Sequence, residues 1–320
     1  MNANRKKYWP EYKWSNVNAM FQNMKRKPLT NPEPFRDKLV VITGATSGIG
    51  YHTARKYASM GAQILMINRN PEKSETVRSE IAADFGTQIE YFIADLAYLS
   101  EIQKAAQHLL SLEQPIDVLI HNAGIHLQTR KENQFGLEEN FAVHYLCPLI
   151  ITKMLLPKYQ KDQTGRILLV SSEAYRFAAW GLDLDDLQWK RRRYTGIQAY
   201  GAGKLAQLQF MHILSNELAP CHVTINAMHP GMVRTQTGRD NSRFYKWYKK
   251  TVIDRLSDSA DVSAEALYYL GTALELAQTS DVFFHLTTQE ELTPPAQDLA
   301  AATALLDKTN DFLRESGLSL

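Results

Sequence analysis

Short runs of apolar, often β-branched residues recur along this chain, and each is followed by a stretch of helical character. Leu39-Val40-Val41-Ile42-Thr43, Gln63–Asn68, Ile89–Ile93, Ile116–Ile120, Arg166–Val170 and Val223–Met228 read as six strands. Helices are predicted from the glycine turn after Thr43 to about Met60, then over Glu72–Asp84, Leu99–Leu112, Glu138–Leu156 with Pro157 as the stop, and Tyr200–Leu218. Alternation of this kind builds βαβ units. It therefore predicts a doubly wound α/β fold, with a central parallel sheet and helices on both faces.

Composition narrows the function. The 320 residues are 44% hydrophobic and 22% charged, with 36 Lys plus Arg against 34 Asp plus Glu, so the net charge is only +2. A chain so balanced has no global attraction for nucleic acid. No apolar run approaches the roughly 20 residues of a membrane span. Cys147 and Cys221 show no metal or redox spacing, and His121, His126, His144, His222 and His229 form no ligand pattern. No metal is expected, and each histidine reads as an ordinary core or loop residue. Two unpatterned cysteines fit a reducing, cytoplasmic setting. Residues 1–34 differ from the rest, because Arg5, Lys6, Lys7, Lys13, Lys25, Arg26 and Lys27 alternate there with Tyr8, Trp9, Tyr12, Trp14 and Phe21. Val17, Met20, Phe21 and Met24 share one helical face. The preferred reading is a helix packed on the core or a partner subunit. The second is peripheral membrane contact by residues 1–27.

Thr43-Gly44-Ala45-Thr46-Ser47-Gly48-Ile49-Gly50 joins the first strand to its helix. Glycine lets a tight turn adopt positive φ and lets backbone approach a pyrophosphate at the helix N-terminus. The spacing is neither GxGxxG nor a Walker loop. At the end of the second strand, where an acid would bind a ribose 2′-hydroxyl, stands Asn68-Arg69-Asn70. Arg69 suits a 2′-phosphate, which favours NADP(H) over NAD(H), and Ser47 and Asn68 can add hydrogen bonds. Tyr200 and Lys204 lie four apart on one helical face, where an ammonium would lower the phenol's pKa from about 10. A phenol so tuned exchanges protons with an alcohol or carbonyl oxygen. Tyr245 and Lys249 repeat the spacing in an irregular segment, and Tyr245 reads as a loop residue.

Taken in order, the glycine turn, Asp95-Leu96, Asn122-Ala123-Gly124, Asn140, Ser172, Tyr200 with Lys204, and Pro230-Gly231 resemble the short-chain dehydrogenase/reductase family over residues 38–235. The resemblance implies a Rossmann-type domain over residues 35–320 and an NAD(P)-dependent oxidoreductase acting on a CH–OH group. It makes Tyr200 the general acid or base, with Ser172 (rather than Ser171) on the substrate oxygen. Lys204 would bind the nicotinamide ribose, and Asn140, in a kinked helix, would hold a proton-relay water. Asp95 and Leu96 would meet the adenine, and Asn122, Ala123 and Gly124 the adenosine half. Pro230, Gly231, Val233 and Thr235 would line the nicotinamide end. Family members associate as dimers or tetramers through two long helices, here Glu138–Leu156 and Tyr200–Leu218.

Two features depart from the compact family pattern. Gly203 replaces the usual Ser or Ala before the lysine. An insert at residues 179–195, holding Lys190-Arg191-Arg192-Arg193, lengthens the Ser172–Tyr200 spacing as in the retinol dehydrogenase-like branch. Residues 236–260 stand where such proteins select substrate, and Phe244, Tyr245, Trp247 and Tyr248 there suggest a lipophilic aldehyde, retinoid, steroid or ketone. The competing function is a non-catalytic dinucleotide sensor or scaffold.

Overall fold

A computed structural model describes residues 3–13, 16, 20, 22–23, 26–133, 136–162, 164–231 and 260–318. Val233, Thr235, nearly all of the 236–260 segment including Tyr245 and Lys249, and three of the four residues in the Val17–Met24 stripe lie outside them.

Six strands form where the apolar runs predict: β1 (Leu39–Thr43), β2 (Gln63–Asn68), β3 (Ile89–Ile93), β4 (Val118–His121), β5 (Arg166–Val170) and β6 (Thr224–His229). The C-terminal end adds β7 (Phe283–His285) and β8 (Thr288–Gln289). The sheet order is β3-β2-β1-β4-β5-β6-β7-β8, parallel throughout except for the β7–β8 pair. Continuous burial along β1 follows from cover on both faces, with one apolar cluster around Val41, Leu119 and Phe210 and another around Val40, Ile120 and Tyr57. This is a doubly wound, Rossmann-type α/β fold. The order reverses between β1 and β4, so the crevice at their C-terminal ends is where a ligand fits.

Helix α1 (Ala3–Tyr8) lies in the basic arm, and α2 (Gly48–Ser59) follows the glycine turn. Next come α3 (Pro71–Phe85), α4 (Leu99–Ser111), α5 (Glu139–Asp162), α6 (Gly196–Leu218), α7 (Ala260–Thr272), α8 (Pro294–Gln297) and α9 (Leu299–Glu315). Local chemistry sets their ends. Asn70 caps α3 by accepting from the Lys73 N–H, Pro71 fills the first turn, and Gly86 closes it at φ +66°. Helix α5 passes through Pro157 instead of stopping there. Proline removes one helical hydrogen bond, but Lys158 and Tyr159 beyond it are buried, and Lys158 Nζ donates to the Leu112 carbonyl at 2.6 Å. Helix α6 begins four residues before Tyr200, so the tyrosine sits one turn inside it. Among the described residues, α5 is the helix long and apolar enough to cross a membrane, and 78% of its apolar window is buried in the fold.

The described part of the arm packs inward. Tyr8 Oη donates to Asp298 at 2.7 Å, Tyr12 Oη to the Ala179 carbonyl at 2.8 Å, and Asn23 Nδ2 to Glu290 at 3.0 Å. Trp9 and Tyr12 pack on Trp180. The backbone N–H groups of the basic run at Lys190, Arg191 and Arg192 are held by the Asp186 carboxylate, and the Arg192 guanidinium lies 3.6 Å from the Trp189 ring centroid.

Candidate active site

The glycine turn leaves β1 at the reversal point. Gly44 adopts φ +71°, and a Cβ there would stand 2.9 Å from Ala123 Cα. On Gly50 it would lie 2.3 Å from the Gly44 carbonyl oxygen and 2.4 Å from Asn122 Nδ2. Gly48, at φ +58°, faces open space. Asn122 ties β4 to the turn, its Nδ2 donating to the carbonyls of Thr43 at 3.0 Å and Gly44 at 2.9 Å. The N–H groups of Asn122 and Ala123 both donate to Thr43 Oγ1. Asn68 Oδ1 accepts from the Ala45 N–H at 2.8 Å, while its buried Nδ2 has no protein partner. Thr46 and Ile49 are half-buried, Ser47 is exposed, and Arg69 is exposed just beyond β2. The open space beside Gly48, the free N–H groups at the head of α2 and the unpartnered Asn68 amide fit a phosphate-bearing dinucleotide. After β3, Asp95 accepts from the Ala97 N–H, beside buried Leu96. Gly124 is exposed above β4. Beyond β6, Pro230 accepts from Ser263 Oγ at 2.7 Å, and Gly231 turns at φ +77°.

Ser172 follows β5 and Tyr200 and Lys204 ride on α6, so the three meet at the C-terminal edge of the sheet. Burial pushes the Tyr200 phenol up, and its hydrogen bond with Ser172 opposes that. Ser171, by contrast, is buried with its hydroxyl unpartnered. Lys204 is 3% exposed, and its ammonium donates to the Val170 carbonyl at 2.6 Å and lies 5.9 Å from the Tyr200 ring centroid. Burial pushes it down to about 7. Spacing alone suggests that Lys204 lowers Tyr200. In this geometry removal from water governs both groups, and Tyr200 is held protonated at neutral pH.

Asn140 lies in the first turn of α5, and its Nδ2 donates to Glu138 Oε1 at 2.8 Å and to Tyr194 Oη at 2.7 Å. Glu138 is fully buried, and its backbone N–H donates to Gln188. Residues of the 179–195 segment thus bracket Asn140. Two residues on, α5 opens into a π-helix over Ala142–Leu146. Sequence reasoning passed over two histidines that the fold brings to Tyr200. His144 meets its ring edge-on at 5.0 Å between centroids, and His126 does so at 5.2 Å. His144 stands four residues beyond Asn140 on the same helix, and that spacing was the available signal. Among the described residues no group of three or more His, Cys, Asp or Glu is arranged to hold a metal.

Behind Ser172, Arg176 bridges Glu173 and Glu290. Burial raises the Glu173 carboxyl to about 7, with Arg176 opposing. The folded protein therefore takes up a proton that the unfolded chain lacks between pH 4.5 and 7, and this group's contribution to stability falls as pH rises through that window. Glu173→Gln is expected to flatten that part of the Tm–pH curve, and an unaltered slope would place the titration elsewhere.

The family described as short chain dehydrogenase matches residues 38–182 and 189–246. Retinol dehydrogenase 13 of Homo sapiens is 33% identical over 273 residues, covering 84% of this chain and 82% of that one. Polyprenol dehydrogenase of Homo sapiens is 32% identical over 216 residues, covering 65% and 64%. Among solved structures, an uncharacterized protein from Mycobacterium paratuberculosis superposes with a TM-score of 0.69 at 28% identity, over 90% of this chain and 98% of that one. The fold also matches a short chain dehydrogenase from Shigella flexneri complexed with NADP, at a TM-score of 0.62 and 24% identity over 80% and 99%. With the match spanning both the glycine turn and the Ser172–Tyr200–Lys204 cluster, this chain belongs to the short-chain dehydrogenase/reductase family, resembling its retinol dehydrogenase-like branch, and is an alcohol/carbonyl oxidoreductase.

Proposed function

We propose that the enzyme uses NADP(H) to interconvert a carbonyl and an alcohol on a lipophilic substrate. The observation that carries this reading is the meeting of Ser172, Tyr200 and Lys204 beside a glycine turn shaped for a dinucleotide. When bound, the nicotinamide supplies or accepts the hydride. Tyr200, kept protonated by burial, gives its proton to the carbonyl oxygen in reduction. Ser172 Oγ hydrogen-bonds the same oxygen and orients it. Lys204, poised near neutrality, restores the proton to Tyr200. Gly44, Thr46, Ser47, Gly48, Ile49 and Gly50 cradle the pyrophosphate, and Asp95, Leu96, Asn122, Ala123 and Gly124 flank the adenosine. Pro230, Gly231, Val233 and Thr235 are the residues that family resemblance assigns to the nicotinamide end. Residues 35–320 act as one domain, with 1–34 as an extension, 179–195 as an insert and 236–260 as the substrate segment. Copies associate through α5 and α6, the helices that family resemblance assigns to the interface. A lipophilic substrate is supported by relatives named for retinol, polyprenol and daunorubicin.

Arg69 carries the choice of cofactor. Its exposed guanidinium at the end of β2 offers charge-assisted hydrogen bonds to a 2′-phosphate, and such bonds contribute about 1.5–3 kcal/mol. Arg69→Ala is expected to raise KM for NADPH roughly 10- to 100-fold while leaving that for NADH nearly unchanged. Steady-state kinetics with both cofactors reads this directly, and an unchanged NADPH-to-NADH ratio would refute the preference.

A further inference from the structure

Ser172 Oγ, the atom proposed to meet the substrate oxygen, is also a capping atom. It accepts from the Ala174 N–H at 3.2 Å and so heads a 3₁₀ helix over Glu173–Ala178. That bond leaves its own O–H to donate, and it ties the place of the oxygen to the place of the helix. A helix this short bonds weakly within itself and takes its position from its surroundings. On one side it presses on α6 beside Tyr200, where a Cβ on Gly201 would stand 2.5 Å from the Ala174 carbonyl oxygen. That contact is a stop, since it limits approach without holding the helix against it.

The hold comes from the other side. Arg176, within the helix, donates through Nε to Glu173 and through Nη2 to Glu290 at 2.8 Å. Glu290 is itself fixed to the sheet, because its N–H donates to the Phe283 carbonyl of β7 at 2.9 Å. Its second carboxylate oxygen accepts from Asn23 Nδ2 at 3.0 Å, and Asn23 is a buried residue of the N-terminal arm. Tyr175 Oη accepts from the Thr293 N–H at 3.2 Å, but one bond at one point does not fix the orientation of the helix. Arg176 adds the second point, and so ties the helix headed by Ser172 to β7 and to the arm. A planar guanidinium holds two carboxylates in set directions, which a lysine ammonium cannot do.

We infer that Arg176 is a positioning residue for Ser172, and that Asn23, acting through Glu290, anchors it from the N-terminal arm. Arg176 neither gives nor takes a proton in the reaction. It sets where Ser172 Oγ stands relative to the Tyr200 hydroxyl. A displacement of about 1 Å at a reacting centre can cost about 10²-fold in rate, so a clamp at this distance from the chemistry still reaches turnover. The arm is then part of the catalytic architecture although it lies outside the dinucleotide fold. The inference rests on the reading of Ser172 given above.

Its test uses the full-length protein with NADPH and with retinaldehyde as probe, and reads hydride transfer in a single turnover. Arg176→Lys keeps a positive charge beside the two carboxylates, so Tm is expected to stay within about 3 °C of wild type. The transfer rate should nonetheless fall about 10-fold at an unchanged Kd for NADPH. Asn23→Leu, remote from the chemistry, should lower it about 3- to 10-fold by freeing one oxygen of Glu290. Each change is then repeated in a Ser172→Ala background. A residue that acts through Ser172 has nothing left to position there, so both effects should shrink below about 2-fold. A merely structural role predicts the same loss in both backgrounds, and that additivity would overturn the inference. Wild-type transfer rates in both single variants would overturn it as well. Unchanged turnover in Ser172→Ala alone would instead defeat the reading of Ser172, so the two failures are distinguishable.

Discussion

Tyr200→Phe is expected to reduce turnover about 10³-fold while leaving NADPH affinity within a few-fold of wild type. The phenylalanine ring keeps its edge contacts with His126 and His144, so the pocket wall survives. What disappears is the hydroxyl that hydrogen-bonds Ser172 and that, in the proposed mechanism, carries the transferred proton. General acid catalysis by a placed side chain contributes about 10² to 10⁴ in rate, or roughly 3 to 5 kcal/mol of barrier. Single-turnover reduction followed at the NADPH absorbance, beside a fluorescence titration of NADPH, separates chemistry from binding. Turnover retained in the variant would defeat the assignment of Tyr200. Tight NADPH binding by the wild-type protein with no turnover across a wide carbonyl panel would favour a nucleotide sensor instead.

Arg176→Ala is expected to be the most destabilising of these changes, at about 3–5 kcal/mol and roughly 10 °C in Tm. Arg176 Nη2 donates to Glu290 at 2.8 Å and Nε to Glu173. The Glu290 side chain is only 2% exposed. Removing the guanidinium takes away what opposes protonation of Glu173 and strands the Glu290 carboxylate in a site poor in water, and an unpaired buried charge costs far more than an exposed pair contributes. Asn23 of the arm also donates to Glu290, so the arm should loosen in the variant and become more open to proteolysis. Adding Glu290→Gln should recover part of the loss, because it removes one stranded charge. A change below about 1 kcal/mol would mean that the cluster behaves as a solvated surface pair.

The parallel core was legible because β1, β2 and β5 are short apolar runs of nearly uniform character, and only burial on both faces suits such runs. The glycine turn was legible for a similar reason. Gly44 and Gly50 stand where a side chain would strike Ala123 or Asn122, so the restriction is written in residue type. The strands of the C-terminal end were not read from sequence: β7 and β8 are three and two residues long, too short for a period to register. Pro157 misled, because local propensity was opposed by burial of the residues beyond it.

The sequence by itself determined the layered α/β architecture and the glycine turn after β1, and it singled out Ser172, Tyr200 and Lys204 as candidates. Each depends on a local pattern or on a residue type that few others can replace. Only the tertiary structure decided which groups surround Tyr200 and in what protonation state. His126, His144 and Ser172 reach it from the loop after β4, from α5 and from the end of β5, separated along the chain but converging at one sheet edge. The burial that raises Tyr200 and lowers Lys204 is likewise a property of the assembled core, since desolvation depends on what lies around a side chain in space rather than beside it in sequence.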